Sequence, residues 1–190
     1  MVQSASPDAA ILMSSRPIDP GVETLADYVR AASRRRGLTA GEWADDLADS
    51  RAVAAIAARG PMAAQPFLEA LVAPFRRGAP EVVVDCDPDL RLPARELAAI
   101  GMIASEAIAN ALAHGFPDGR QGRIWVRLHP DEGRIRLTIR DNGVGMPDLD
   151  PDPRTGRGLI DALTRKLGGF SRMGSAPFGG ALVTLVYTSA

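Results

Sequence analysis

The chain has 190 residues, with 22 Lys and Arg against 23 Asp and Glu and a formal net charge of -1. It therefore suits one ordinary domain with a small appendage and offers no broad field for nucleic acid or an anionic membrane. Its single cysteine, Cys86, excludes an internal disulfide; no signal-peptide pattern opens the sequence, and Leu97 to Leu112, broken by Glu106 and Asn110, falls short of the ~20 apolar residues of a membrane span, so a cytoplasmic protein that meets neither membrane nor nucleic acid is expected.

Residues 1–20 mix Ser, Pro, Asp and Ala, with prolines at 7, 17 and 20, and read as a flexible leader. From Val22 to about Arg36 the apolar residues Leu25, Tyr28, Val29 and Ala32 recur at helical spacing, which predicts a short helix. Thr39, with Glu42 three residues on, caps a second helix whose stripe is Trp43, Leu47, Val53 and Ile56. Residues 21–61 are thus expected to form a helical hairpin. A third helix from about Gln65 to Arg77, kinked or ended by Pro74, leads to a strand over Glu81 to Cys86.

After Pro93 the longest helix runs from Ala94 to about His114. Two alternating strands, Arg123 to Leu128 and Arg134 to Arg140, follow, joined by a turn around His129 to Gly133. A helix from about Leu159 to Leu167, stopped by Gly168 and Gly169, and strands near Phe170 to Met173 and Ala181 to Tyr187 complete the chain. The order suits an α/β fold with helices on one face of a mixed, mostly antiparallel sheet.

Glu106, Asn110 and His114 are spaced four apart, so on a helix they stand nearly in register, each about 6 Å above the last. Polar groups on an otherwise apolar helix need partners, because leaving them dry costs several kcal/mol. A cleft is one solution. The carbonyl of Asn110 could serve magnesium, which accepts a small protein share of an oxygen shell, and Glu106 could orient or deprotonate an attacking group. The solvent face of an amphipathic helix explains the same spacing, with His114 favoured by the helix dipole and Gly115 as cap.

Asp141-Asn142-Gly143-Val144-Gly145 follows a strand and reads either as a hairpin turn or as a carboxylate that accepts from the amine of adenine while glycine backbone approaches the ring. Gly156-Arg157-Gly158-Leu159 opens a helix, where free N–H groups and the dipole favour phosphate. A glycine-rich helix start without ligand fits as well. Neither segment is a P-loop or a dinucleotide fingerprint.

Taken together and in this order, the segments resemble the GHKL family of nucleotide-binding domains: Glu106-x-x-x-Asn110-Ala111-x-x-His114 is similar to its N box, Asp141-x-Gly143-x-Gly145 to its first glycine box and Gly156-x-Gly158-Leu159 to its second. From Asp89 to Tyr187 the chain looks like the catalytic domain of histidine kinases allied to the HWE group. The resemblance implies a two-layer α/β sandwich of the Bergerat type over residues 62–190, with residues 21–61 as a degenerate dimerisation hairpin. The apolar stripe of that hairpin must pack against another copy or fold back on the domain, and a homodimer is expected. The resemblance also implies ATP and Mg2+ as ligands, Asn110 on the metal, Glu106 as the catalytic base or water-polarising group, Asp141 on adenine and Gly143 and Gly145 beside the ring. His114, Gly156, Arg157, Gly158 and Leu159 complete the nucleotide site in this reading.

The chain has only 2 histidines, His114 in the N box and His129 expected in a turn. Where a kinase of this kind would carry its acceptor, the sequence reads Arg16-Pro17-Ile18-Asp19-Pro20. The expectation is therefore an ATP-binding, histidine-kinase-like protein without an acceptor of its own, acting on a response regulator or another partner in trans. An anti-sigma-factor-type serine/threonine kinase with a sigma-factor regulatory partner, and a non-catalytic pseudokinase, are the alternatives.

Overall fold

A computed structural model describes residues 20–34, 50–76, 78–145 and 156–189. The expected leader through residue 19, and Thr39, Glu42, Trp43 and Leu47 of the second helix, lie outside the described residues.

Five strands form one sheet in the order β2-β4-β5-β7-β6, made of β2 (Glu81–Cys86), β4 (Arg123–Asp131), β5 (Arg134–Asp141), β6 (Phe170–Ser175) and β7 (Ala181–Tyr187). β2 runs parallel to β4, and the other pairs are antiparallel. A two-stranded pair, β1 (Met62–Ala63) with β3 (Arg91–Leu92), stands apart. Alternation fixes the faces: Ile124, Val126 and Leu128 of β4, Ile135, Leu137 and Ile139 of β5, and Val183 and Leu185 of β7 are buried. The helices α3 (Ala64–Val72), α4 (Ala94–Asn110) and α5 (Gly156–Lys166) pack on that side, against β2, β5 and β6 respectively. This is the two-layer α/β sandwich expected from the sequence.

Pro74 falls in a 3-10 turn, Ala73–Arg76, that closes α3, since proline cannot supply the N–H that an α-helix would need there. The β4–β5 turn is tighter than expected. Glu132 and Gly133 both take positive φ, 48° and 80°, which completes a two-residue turn. His129 therefore lies within β4, opposite Arg136, and not in the turn.

The stretch Ala94–Gly115 is long and apolar enough by composition to cross a membrane, yet 67% of its most apolar window is buried within the fold. It is the central core helix. Its first turn carries Glu96, buried, whose Oε2 accepts from the Tyr187 hydroxyl and from Ser189 Oγ, both at 2.8 Å. Burial and the Glu96 carboxylate push the Tyr187 phenol upward, so it stays a donor and pins the end of β7 to the start of α4.

The helix α1 (Pro20–Ser33) lies on α3 and α4. Val22, Leu25, Ala26, Val29 and Ala32 are at most 1% exposed and share one core with the sheet, as do Val53 and Ile56 of α2 (Arg51–Ala57). Gly101 permits the close approach: a Cβ there would fall 2.7 Å from the Phe67 ring and 3.2 Å from Val29. Arg30 adds a bond to the Ala70 carbonyl at 2.6 Å. The apolar stripe of α1 is thus covered within the chain. Leu25→Ala should lower the unfolding free energy by about 2–5 kcal/mol, measured by denaturant titration; a loss under about 0.5 kcal/mol, the size of a surface change, would mean that α1 contributes nothing to the domain.

Candidate functional site

Three segments distant in sequence meet at the C-terminal half of α4. Glu106 and Asn110, both half-buried and one turn apart, are joined by a hydrogen bond from Asn110 Nδ2 to Glu106 Oε1 at 3.1 Å. With its amide nitrogen so engaged, Asn110 keeps its carbonyl oxygen for another partner, and a hard cation accepts such an oxygen. At Asn110 the α-helix ends and widens into a π turn, Ala111–Gly115. A wider turn holds fewer degrees of rotation per residue, so His114 does not continue the Glu106–Asn110 line in α register; it is exposed.

The π turn brings Gly115 under the first glycine segment. Its carbonyl accepts from Val144 N at 2.9 Å, and a Cβ on Gly143 would lie 2.2 Å from the same oxygen. Asp141, the last residue of β5, is 4% exposed and points to the helix side. Its Oδ1 accepts from Gly143 N at 2.8 Å and from Ala181 N at 3.1 Å. Two amides on one oxygen offset much of the cost of burying a carboxylate. The other oxygen, Oδ2, receives no hydrogen bond from the described residues and is left as an acceptor.

Gly180, just ahead of β7, lies against Asp141. A Cβ there would fall 1.9 Å from the Asp141 carbonyl oxygen and 2.8 Å from its Oδ1. Gly145 lies beside this turn, with a would-be Cβ 3.4 Å from Ser175 Oγ. The backbone of Gly179-Gly180-Ala181 serves Asp141, through the Ala181 amide. Gly115 and Gly180 were missed as site residues, because what they do depends on contacts across the fold.

The second glycine segment forms the first turn of α5 and is not a loop ahead of it: the helix begins at Gly156, earlier than its apolar pattern indicated. Gly156 abuts the N-box carboxylate so closely that a Cβ would fall 1.8 Å from Glu106 Oε1. Gly158 is buried, Arg157 half-buried, and Leu159 packs on the core. The α5 N-terminus, with its N–H groups and dipole, thus faces the Glu106 side of the cleft. His129 stands on the opposite face of the sheet, 3.0 Å from Asp85 Oδ1, and takes no part. Nor does Cys86, whose thiol is pushed up to about 12 by burial and then by Asp87 and Asp85.

The sequence matches the profile of the histidine kinase-like ATPase domain over residues 67–170, more than half of the chain. The chain belongs to the histidine kinase-like ATPase family. Among curated relatives it is 42% identical to an anti-sigma F factor of Bacillus licheniformis over 55 residues, 29% of this chain and 38% of that protein. An anti-sigma F factor of Bacillus thuringiensis is 34% identical over 68 residues, covering 36% and 44%. The matched segments span less than half of these relatives.

Among solved structures, the blue-light activated histidine kinase EL346 of Erythrobacter litoralis superposes with a TM-score of 0.59 and 22% identity, over 72% of this chain and 50% of that one. The ATP-binding domain of PrrB from Mycobacterium tuberculosis gives 0.50 and 21% identity, over 68% and 96%. These likenesses are to the fold. The fold thus brings Glu106 and Asn110 together with the segments Asp141–Gly145 and Gly156–Leu159 at the end of α4.

Proposed function

We propose that this chain binds ATP with magnesium in the α4 cleft and works as a histidine-kinase-like protein of bacterial two-component-type signalling, in the cytoplasm, passing phosphate to a partner in trans. The observation that carries this reading is Asp141: a buried carboxylate with one oxygen held by two amides and the other left as an acceptor suits the exocyclic amine of adenine, and would repel the oxygen that guanine presents there. The glycines that bring backbone against it, Gly143 and Gly180, leave no room for side chains at its edge.

The oxygen set fits a hard cation. Asn110 would hold magnesium through its carbonyl, and the metal would supply charge neutralisation at the phosphates. Glu106, one turn earlier and bonded to Asn110, is placed to take a proton from an attacking hydroxyl or to orient the accepting group. The first turn of α5 supplies N–H donors from Gly156 to Gly158, where anionic charge is favoured. Phosphoryl transfer needs mostly positioning and charge stabilisation, and these groups can provide both.

Neither histidine suits the acceptor role. His114 is exposed on the π turn, and His129 lies on the other face of the sheet. The protein alone, incubated with labelled ATP, should therefore acquire no acid-labile, alkali-stable phosphate. Asn110→Ala should abolish the tightening of ATP binding by magnesium, whereas Glu106→Ala should leave binding intact and stop transfer. Histidine labelling of the isolated protein, or identical behaviour of the two variants, would refute these roles.

The local identity to anti-sigma F factors favours a second reading, a serine/threonine kinase acting on a sigma-factor regulatory protein. Transfer assays with response regulators and with such regulatory proteins side by side separate the two, and binding without transfer to either leaves the pseudokinase. Residues 21–61 are a remnant of a dimerisation hairpin in this account. The stripe of α1 is buried within the chain, which favours a fold-back over the expected homodimer, and light scattering of the full chain at micromolar concentration should return the monomer mass.

A further inference from the structure

The sheet face opposite the helices carries none of the groups placed at the nucleotide site and has its own chemistry. The register lines its side chains up in rows: Val83, Trp125, Arg140 and Leu182 in one; Asp85, Arg127, Thr138, Thr184 and Arg172 in the next; His129, Arg136, Val186 and Phe170 in the third. No described helix packs on this side. Val83, Trp125, Leu182 and Val186 are only half-buried, and Phe170, on the edge strand β6, is 67% exposed.

The charge on this face is lopsided in a chain whose net charge is -1. It holds six arginines, Arg123, Arg127, Arg134, Arg136, Arg140 and Arg172, against three carboxylates, Glu81, Asp85 and Asp131. The carboxylates are already engaged, Glu81 with Arg123, Asp85 with Arg127 and His129, and Asp131 with Arg136. Arg134 and Arg172 are exposed and form no ion pair among the described residues. Arg140 stacks on Trp125 at 5.9 Å, with Arg123 at 5.8 Å from the same ring, and its Nε is buried without a hydrogen bond.

A solvated sheet face does not need an unshielded tryptophan among half-buried Val83, Leu182 and Val186. Apolar and aromatic groups set among arginines are instead the composition of a protein interface, because arginine sheds water readily and pairs with carboxylates in fixed geometry. We propose that this face docks an acidic, amphipathic segment of another protein, whose apolar side covers Trp125, Leu182, Val186 and Phe170 and whose carboxylates meet Arg134, Arg140 and Arg172. A nucleic acid is disfavoured by the three carboxylates set among the arginines, and a second copy by the like charge it would bring. The surface is separate from the nucleotide cleft, so the inference stands or falls independently of ATP binding.

The test uses the full chain with Trp43→Phe, which leaves Trp125 as its one tryptophan, since the sequence has 2. The probe is a synthetic helical peptide with leucine on one face and glutamate on the other, followed by Trp125 fluorescence. Saturable binding that weakens at least about tenfold with rising salt, and again in Arg172→Glu and in the milder Arg172→Gln, is the expected result, with melting curves confirming that both variants fold. A lysine version of the peptide and single-stranded DNA should not bind. Absence of binding, indifference to both Arg172 variants, equal binding of DNA, or a dimer of the chain itself that Arg172→Glu disperses would each overturn the proposal.

Discussion

Replacing Gly180 by alanine should both destabilise the fold and empty the nucleotide site. Gly180 has a φ of 84° and sits so close to β5 that a Cβ would fall 1.9 Å from the Asp141 carbonyl oxygen. The left-handed conformation costs a non-glycine residue about 1–2 kcal/mol, and forcing backbone apart adds about 1–3 kcal/mol. A total on the order of 3 kcal/mol lowers the melting temperature of a chain this size by roughly 6–12 °C. The strand that must move carries the Ala181 amide, so Asp141 loses one of the two donors that hold it. ATP affinity should fall with stability. A melting temperature within about 1 °C of the parent, where a surface substitution would leave it, would show that the β5–β7 contact is looser than described.

Asp141→Asn should separate binding from folding. Asparagine keeps the size of the side chain, and its oxygen can still accept from Gly143 and Ala181. Its nitrogen then replaces Oδ2 and points a donor at the donor of adenine. Losing that bond costs about 1–3 kcal/mol, a drop in ATP affinity of about 5- to 150-fold. Stability should change little, in contrast to Gly180→Ala. Unchanged ATP affinity in titration calorimetry would remove Asp141 from the site.

How much of this was legible beforehand follows from the range over which each feature is encoded. β2, β4, β5 and the central helix declare themselves in local alternation or in period, and their expected positions needed only small changes at the ends. The turn expected around His129 to Gly133 narrows to Glu132-Gly133 because β4 runs on through Pro130, which it tolerates beyond the end of β2, where no ladder partner on that side needs its N–H. β1 and β3 have two residues each, too few for alternation to show. The π turn leaves no mark in apolar spacing, yet it moves His114 off the Glu106–Asn110 line.

The site divides in the same way. Glu106, Asn110, Asp141 and the two glycine segments stand out as candidates because each falls in a short motif. The contacts that make them one cleft do not, since Asp141 meets Ala181 across 40 residues of sequence and Gly156 meets Glu106 only after α5 has folded onto α4. The docking of α1 belongs to this class as well. Its stripe was plain in the sequence, but the same stripe serves a dimer or a fold-back, and the choice rests on the small Gly101 opposite Val29 and Phe67.

The central claim is that the α4 cleft is an adenine nucleotide site. Titration calorimetry of the full chain with ATP and with GTP, each with magnesium, tests it most directly: ATP should bind to one site and GTP at least about tenfold more weakly, the equivalent of one hydrogen bond, whereas equal affinities, or no heat from either nucleotide, would contradict it.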